Sequence, residues 1–362
     1  MRARRGQVVE IGTLAEFDRR TSVGVSSMTG WQLLSVDLSQ RSSILRRCAV
    51  AGALFLGCRF APGDEQSIRS RGAIVFPEVP GSPVDTYRSL LYAPRDLYDS
   101  ADYQHSFDAR AYGWTRAHQS RESALATTLH DLAIDEALAD WTIGRELVGV
   151  MGGHAAVRGE AGYLQAAQLG RLLTRGGATV VTGGGPGAME AANLGAWMAR
   201  RSAAELTRAV DDLSLIPSFT PDVGGWARVA FEVLDEFPDG EESLGIPTWH
   251  YGHEPPNPFA TAIAKYFKNS TREAILLQIC NRGIVFLPGA AGTVQEVFQD
   301  ACENYYADES SVAKMVLVGV QHWTRTLPVW PLLANLAKGR PMEQQIHLVD
   351  TLDEAAALVC PI

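Results

Sequence analysis

The chain has 362 residues, of which 46% are hydrophobic and 20% charged, a balance typical of globular proteins long enough for two domains. Its formal net charge of −9 argues against nucleic-acid and anionic-membrane partners, because binding many phosphates requires a basic surface. Five cysteines without a CxxC pair fit neither a disulfide framework nor a zinc ribbon, so we expect a reducing, cytoplasmic compartment. The basic start, MRARR, precedes no continuous apolar run, so we expect neither a signal peptide nor a membrane anchor.

The first 120 residues contain strand candidates but no sustained period. WQLLSVDLS, AVAGALFLGCRF and GAIVFPEV have the composition of strands, and a connection rich in Pro and Tyr follows them. We predict a smaller, mixed or β-rich domain over residues 1–120, whose role the sequence does not reveal.

Residues 121–362 alternate between short apolar runs and helical patterns. After an amphipathic helix at 123–144, the clearest strand candidates are 147–153, 178–185, 283–289 and 314–320. This alternation is typical of a parallel sheet wound with helices. We therefore predict an α/β, doubly wound, Rossmann-like domain. The Pro- and Gly-rich stretch 216–259 interrupts the alternation, which favours a long loop with short elements that serves as a lid or binding loop.

Two glycine-rich turns, in VVTGGGPGAMEAA and FLPGAAGTVQE, each lie between a predicted strand and a predicted helix. Backbone N–H groups and the positive end of the helix dipole favour an anion at such turns. Two turns at the carboxyl edge of one sheet can converge on a single ligand. Neither is a P-loop, since no Lys-Ser/Thr pair follows the glycines, so we expect a phosphorylated small molecule without metal-dependent phosphoryl chemistry.

The two turns, with STREAILLQICNRG upstream of the second, resemble the LOG (lonely guy) family of nucleoside 5′-monophosphate phosphoribohydrolases, especially its larger bacterial members, often labelled lysine decarboxylases. The resemblance covers about residues 145–350. Arg272 matches the arginine of the family's M-x-x-R-K element, and Glu273 replaces its lysine. Ala290 replaces the second glycine of the family's P-G-G-x-G-T-x-x-E motif, and Gln295 replaces a common acid. The matching positions of that motif are Pro288, Gly289, Gly292, Thr293 and Glu296.

The resemblance implies hydrolysis of the N-glycosidic bond of an AMP-like or N6-modified nucleoside 5′-monophosphate, with no cofactor and no metal. Arg272 and Glu296 would form the catalytic pair, in which Glu296 binds the ribose and assists water while Arg272 keeps Glu296 ionised. The family is typically dimeric, so a homodimer or higher homo-oligomer is implied. The expected phosphate-binding residues are Gly184, Gly185, Gly187, Gly289, Ala290, Ala291, Gly292 and Thr293.

Each candidate side chain also has a structural interpretation. Glu296 would suit a helix dipole, and Arg272 a first helical turn at the surface. Glu190 follows the first turn and is a candidate contact for the ribose or base. A metal site at His250, His253 and Glu254 is disfavoured, because the Pro and aromatic neighbours indicate a polar lid.

Three other functions compete with hydrolysis. A dinucleotide oxidoreductase would use Gly183, Gly185 and Ala188, but Asp211 and Asp212, at the distance of its ribose-binding acid, lie in a helical pattern. A pyridoxal decarboxylase needs a lysine at the site, but we expect that none of the four lysines follows a strand or lies beside either glycine turn. A nucleotide sensor would bind through the same turns without cleavage and would not need the Arg272–Glu296 pair.

Overall fold

The computed structural model describes residues 8–117, 120–250 and 254–360, so the basic MRARR segment lies outside the described residues. The chain forms two compact units, Met1–Leu91 with Trp114–Ala139 and Tyr92–Gly113 with Asp140–Ile362. This division differs from the predicted boundary at residue 120, because 92–113 pack with the second unit and 114–139 with the first. Within the second unit, Tyr92 and Ile263 exchange backbone hydrogen bonds of 2.9 and 2.8 Å.

The first unit contains a parallel four-stranded sheet in which each of the first three strands is followed by a helix. The three strands predicted in this region correspond to β2, β3 and β4. Because a helix lies between each strand and the next, the region is a regular strand–helix alternation. Its elements are β1 (Val9–Ile11), α1 (Leu14–Ser22), β2 (Trp31–Leu34), α2 (Ser42–Arg47), β3 (Leu54–Leu56), α3 (Asp64–Ser70) and β4 (Ile74–Phe76).

A repeat that the sequence analysis missed organises this sheet. GWQLL, GALFL and GAIVF begin at Gly30, Gly52 and Gly72, which have positive φ values of 79°, 75° and 90°. Gly30 N donates to Gly52 O at 3.2 Å, and Gly52 N donates to Gly72 O at 3.0 Å. Glycine adopts this backbone conformation without strain, so each repeat stacks one strand in register on the preceding one, as in a solenoid.

The remaining elements belong to the second unit, except that the end of α5 and most of α6 belong to the first. They are α4 (Pro94–Leu97), α5 (Phe107–Arg116), α6 (Arg121–Thr142), β5 (Leu147–Met151), α7 (Ala161–Arg175), β6 (Thr179–Thr182), α8 (Ala188–Trp197), α9 (Ala203–Leu213), α10 (Val223–Glu236), β7 (Ser243–Gly245), β8 (Ala262–Ile263), α11 (Asn269–Gln278), β9 (Gly283–Phe286), α12 (Ala291–Tyr306), β10 (Met315–Val318), α13 (Val329–Ala337), β11 (Ile346–Val349) and α14 (Leu352–Val359). No helix in the described residues is long and apolar enough to cross a membrane.

The sheet of the second unit is parallel, with the order β11-β10-β9-β5-β6-β7-β8. This confirms the predicted α/β, doubly wound, Rossmann-like fold. The four predicted strands are β5, β6, β9 and β10, whose residues are almost all buried, as expected for strands covered on both faces. The stretch 216–259 contains one helix longer than expected, α10, and the short strand β7, which irregular segments join to each other and to β8.

The helices α7 and α8 pack backbone to backbone. A Cβ added at Gly195 of α8 would overlap the carbonyl oxygen of Ala167, and one at Gly170 of α7 would overlap that of Ala192. The two glycines therefore allow an approach that any other residue would prevent. This contact fixes α8, which follows the first glycine turn, against the helix that follows β5.

We predict that Gly195→Ala destabilises the second unit by roughly 2 kcal/mol or more, because overpacking outweighs the gain of about 1 kcal/mol in helix propensity. Gly162→Ala, also in α7, is the matched control, since its Cβ would meet nothing within 4 Å. Urea unfolding of both variants measures the difference. Equal stabilities would show that the two helices can move apart without cost.

Candidate functional site

The sheet reverses its direction of growth between β5 and β9. From β5 the chain builds β6, β7 and β8 on one side, and from β9 it builds β10 and β11 on the other. In open parallel sheets, the crevice beyond the carboxyl ends of such a strand pair is the usual ligand position. Both glycine-rich turns lie at this edge, because they follow β6 and β9.

The second turn, residues 288–292, is open, and we call it the open turn. Ala290 is the N-cap of α12 and makes no side-chain capping hydrogen bond. Ala291 and Gly292 are exposed, and a Cβ at Gly292 would meet nothing within 4 Å. The first amides of a 16-residue helix therefore face free space with the positive end of its dipole, which suits an anion.

Two residues beside the open turn have packing roles. Thr293 is buried, and its side chain fills the space that a Cβ at Gly289 would need. His322 Nε2 lies 3.1 Å from Gly289 O, so the turn is held from the β10 side. The predicted phosphate contacts of Gly289, Ala290, Ala291, Gly292 and Thr293 stay predictions, and the geometry favours the backbone of the turn over the Thr293 side chain.

The first turn, residues 183–187, is buried, and we call it the closed turn. Gly184 N donates to Thr182 Oγ1 at 3.0 Å, so this amide is already occupied. Gly187 has a φ of 75°, and a Cβ there would lie 2.6 Å from His154 O and 2.7 Å from Gly153 O. These glycines thus allow close packing against the loop after β5. Contact of Gly184, Gly185 or Gly187 with a ligand phosphate stays a prediction.

Two buried asparagines seal the closed turn. Asn257 donates from its backbone N to Gly184 O at 2.8 Å and from Nδ2 to Gly185 O and Asn193 Oδ1, both at 3.1 Å. Asn193 in turn accepts from Thr182 Oγ1 at 2.7 Å and donates to Ser243 Oγ at 3.0 Å. The network joins β6, α8, β7 and the segment before β8. Sequence reasoning missed both residues, because a lone Asn carries no motif.

The structure brings Arg272 and Glu296 together. Arg272, in α11, donates from Nε to Ile246 O at 2.8 Å, and its Nη1 lies 4.0 Å from Glu296 Oε1. At this distance the guanidinium and the carboxyl can form an ion pair but not a hydrogen bond. Within the described chain the terminal nitrogens of Arg272 donate no hydrogen bond, and Nη2 lies near the position of a Cβ at Gly183. They are therefore able to bind a ligand anion between the two turns.

Burial raises the pKa of Glu296 to about 7, and the nearby Glu273 carboxylate adds to this effect against the opposing charge of Arg272. At neutral pH Glu296 is therefore only partly ionised despite the charge of Arg272, and the catalytic role of the pair stays a prediction. Desolvation of the carboxyl outweighs an ion pair that is too long for a hydrogen bond. Glu296 thus exchanges a proton near neutrality, as general acids and bases do.

The rim of the crevice carries a second polar pair, His154 Nδ1 and Glu254 Oε1, 3.8 Å apart. Glu254 Oε2 lies 3.7 Å from the position of a Cβ at Gly185, so this pair flanks the closed turn. Of the disfavoured metal ligands, His253 lies outside the described residues. No group of three or more His, Cys, Asp or Glu able to hold a metal ion occurs in 8–117, 120–250 and 254–360.

Glu190 is fully buried, and its carboxylate is engaged by Arg158, a residue that the sequence analysis did not single out. Arg158 Nε lies 3.1 and 3.2 Å from the two carboxylate oxygens, and its Nη1 donates to the carbonyl oxygens of Ile216 and Trp226. The pair forms one wall of a cavity of about 140 Å³ that also reaches His154 and Gly187. The predicted contact of Glu190 with a ligand stays a prediction, and its charge is balanced within the protein.

The structure changes the argument about lysines. Lys265 comes two residues after β8, so the statement that no lysine follows a strand is wrong. Its ammonium is buried and lies 2.6 Å from Asp108 Oδ1, which also accepts from Trp249 Nε1 at 2.8 Å. Burial lowers the pKa of Lys265, although Asp108 opposes this. The amine is engaged in an ion pair, and Asp211 and Asp212 lie in α9, so neither alternative cofactor enzyme gains support.

No protein-family model and no curated protein matches the sequence. Among solved structures, the chain is similar to the molybdenum cofactor carrier protein MCP of Chlamydomonas reinhardtii, with 18% identity and a TM-score of 0.38 over 59% of this chain and 96% of that chain. It is also similar to the molybdenum cofactor binding protein of the phototrophic bacterium Rippkaea orientalis, with 18% identity and a TM-score of 0.39 over 60% of this chain and 96% of that chain.

These comparisons correct the family prediction. The similar structures are named as carrier and binding proteins of the molybdenum cofactor and not as phosphoribohydrolases. The predictions of LOG membership and of N-glycosidic hydrolysis, and the description as a hydrolase or nucleosidase, are therefore wrong. The physical reason is that a strand, a turn of small residues and a helix recur throughout doubly wound folds, where the small residues serve packing as much as chemistry.

We predict that Glu296→Gln stabilises the protein at pH 8 but not at pH 5. The pKa of Glu296 rises from 4.5 to about 7 on folding, so the folded state binds the extra proton. Wild-type stability therefore falls as pH rises through this window, by up to about 3 kcal/mol, and the amide removes that penalty. Urea unfolding at both pH values measures it, with the exposed Glu309→Gln as the control. A difference that does not depend on pH would contradict the raised pKa.

Proposed function

We propose that the second unit binds a small phosphate-bearing molecule in the crevice beside the open turn. The observation that carries the proposal is an uncapped helix start close to an arginine whose terminal nitrogens donate no hydrogen bond in the described chain. Gly292 and Glu296 are four residues apart on α12 and share one face, and Glu296 faces Arg272. Backbone amides and guanidinium together are the usual donors to a phosphate.

The remainder of the ligand would extend from the open turn past Gly153 and His154. A Cβ at Gly153 would lie 3.7 Å from Gly289 Cα, so the loop after β5 borders the open turn. His154 leads on to the cavity of about 140 Å³, where the rings of Phe219 and Trp226 have centroids 6.3 Å apart. Aromatic walls of this kind suit a planar ring. The cavity is smaller than the roughly 300 Å³ of a whole ligand site, so it would take only one part of the molecule.

Ligand binding should depend on the protonation of Glu296. An anion next to Arg272 also lies near this carboxyl, so the ionised form repels it and the protonated form does not. Because the pKa of Glu296 is about 7, wild-type affinity should fall as pH rises from 6 to 8. Glu296→Gln removes the titrating group, so its affinity should stay constant over this range apart from the titration of the ligand itself.

The test is calorimetry with ribose 5-phosphate against ribose, followed by AMP and the molybdenum cofactor, for which the two similar structures are named. We expect binding that requires the phosphate, weakened at least about tenfold by Arg272→Gln, since a charge-assisted hydrogen bond contributes roughly 1.5–3 kcal/mol. Arg282→Gln is the matched control, because this exposed arginine pairs with Glu146 and lies before β9, at the opposite edge of the sheet.

Two results would refute the proposal. One is equal affinity for the phosphorylated and unphosphorylated compounds, which would remove the phosphate from recognition. The other is equal weakening by Arg272→Gln and Arg282→Gln, which would reduce the effect to overall charge.

Turnover of the bound molecule is a second proposal, supported by Glu296. A carboxyl with a pKa of about 7 beside an arginine is suited to move a proton at neutral pH, and a pure carrier does not need one. Incubation with the same compounds, followed by mass spectrometry, tests it. Conversion that is lost in Glu296→Gln supports an enzyme, and an unchanged ligand supports binding alone.

A homo-oligomer and a cytoplasmic location stay predictions. The first was implied only by the resemblance to the LOG family, which the comparisons overturn, and the second rests on the sequence. The acidic composition and unpaired cysteines support the location, as described above. Light scattering coupled to size-exclusion chromatography measures the oligomeric state directly, and a monomer at micromolar concentration would contradict the first of the two.

A further inference from the structure

A second cavity, of about 690 Å³, lies at the opposite, amino edge of the same sheet. It is bordered by the end of α11, the second half of α12 and the loop 307–313 that precedes β10. Its size is within the range of small-molecule sites, roughly 300–1,000 Å³. It shares no lining residue with the cavity of about 140 Å³ described above, so ligand binding at the two places can be tested separately.

The ionisable acidic and basic side chains that line this cavity are all acidic. Asp300 and Glu303 line it, and among the described lining residues none is Lys, Arg or His. The carboxyl ends of α11, at Gln278, and of α12, at Tyr306, also border it. The negative ends of two helix dipoles therefore add to two carboxyl groups. A positively charged ligand is the only class that this arrangement favours.

Asp300 supplies the independent observation. Its side chain lines the cavity while the residue is only 4% exposed, and its Oδ2 has no hydrogen-bond partner. Its other oxygen, Oδ1, receives only a long contact of 3.4 Å from Asn304 Nδ2. Buried carboxyl oxygens are almost always paired, because an unpaired one costs roughly 1–3 kcal/mol. For the ionised carboxylate the missing partner is a hydrogen-bond donor, and the surroundings favour one with positive charge.

We propose that this cavity, which we call the ammonium pocket, binds a small organic cation through a primary ammonium group held by Asp300 and Glu303. An ammonium carries three donors and no acceptor, which matches a carboxyl oxygen without a partner and a wall of acceptors. The exposed ring of Tyr306 at the cavity adds a face for cation–π contact. A bare metal ion fits less well, because no cluster of three metal-ligating side chains occurs among the residues that the structure describes.

Binding should strengthen as pH rises. Burial, with a smaller contribution from the Glu303 carboxylate, raises the pKa of Asp300 to about 8. Without a ligand, the Asp300 carboxyl is therefore mostly protonated at pH 6. The group that faces it from α11 is the Cys280 thiol, whose pKa burial raises, and the loop 307–313 presents only hydroxyl and apolar groups there. An ammonium favours the ionised carboxyl, so its binding releases a proton, and affinity should rise at least about tenfold between pH 6 and pH 8.

Calorimetry with putrescine, against 1,4-butanediol as the neutral compound of the same length, tests the proposal on the full chain. We expect putrescine to bind and the diol not to bind, with proton release detected by comparing buffers of different ionisation enthalpy. Asp300→Asn should weaken putrescine at least about tenfold, because the amide cannot become an anion. Asp211→Asn, the same change on the exposed face of α9, should leave the affinity unchanged.

Glu303→Gln keeps the proposal testable if Asp300→Asn does not fold. Glu303 is exposed, so its substitution should spare the fold while weakening putrescine severalfold. The proposal is overturned if putrescine does not bind at millimolar concentration at pH 8, if the diol binds equally well, or if both carboxyl variants retain wild-type affinity.

Discussion

The hydrogen bonds of the buried side chains of Asn193 and Asn257 hold the closed turn against the strands and the helix around it. They join β6, α8, β7 and the segment before β8, and they occupy the carbonyls of Gly184 and Gly185. A buried amide network of this kind is stable only when its members are satisfied together, so loss of one asparagine would expose unpaired groups on several elements. The closed turn is therefore part of the core, whereas Ala291 and Gly292 of the open turn are exposed.

The positions of Arg272 and Glu296 in the crevice are fixed by the strands and turn next to them. The Ile246 carbonyl, just beyond β7, holds Arg272 through Nε, which keeps its terminal nitrogens directed toward Gly183 and Glu296. Glu296 is then desolvated without a hydrogen bond from Arg272, and its pKa rises. A guanidinium that is fixed but not neutralised is a competent anion site. A carboxyl that titrates near pH 7 makes that site sensitive to pH.

The sequence predicts the doubly wound sheet and its four most apolar strands, because periodicity and turn residues encode these locally. The pairing of Arg272 with Glu296 was implied only by the family resemblance, and the structure places the two side chains 4.0 Å apart. It does not predict that one glycine turn is buried and the other open, since Asn257 closes the first turn from a distance of about 70 residues along the chain. Nor does a motif distinguish a glycine needed for a ligand from one needed for packing, as at Gly187. The repeat at Gly30, Gly52 and Gly72 was readable from its spacing, but each strand is too short to stand out alone.

Helix α12 connects the two sites physically. Its amino end lies at the open turn, where unpaired amides favour an anion, and its carboxyl end lies at the ammonium pocket, where the opposite pole of the same dipole favours a cation. Glu296 and Asp300 are one turn apart on this helix, and burial raises the pKa of both. Burial thus favours the uncharged form of each carboxyl. Each becomes fully ionised only when a counter-charge arrives or the pH rises. An anion at one end and a cation at the other would push the two protonation states in opposite directions.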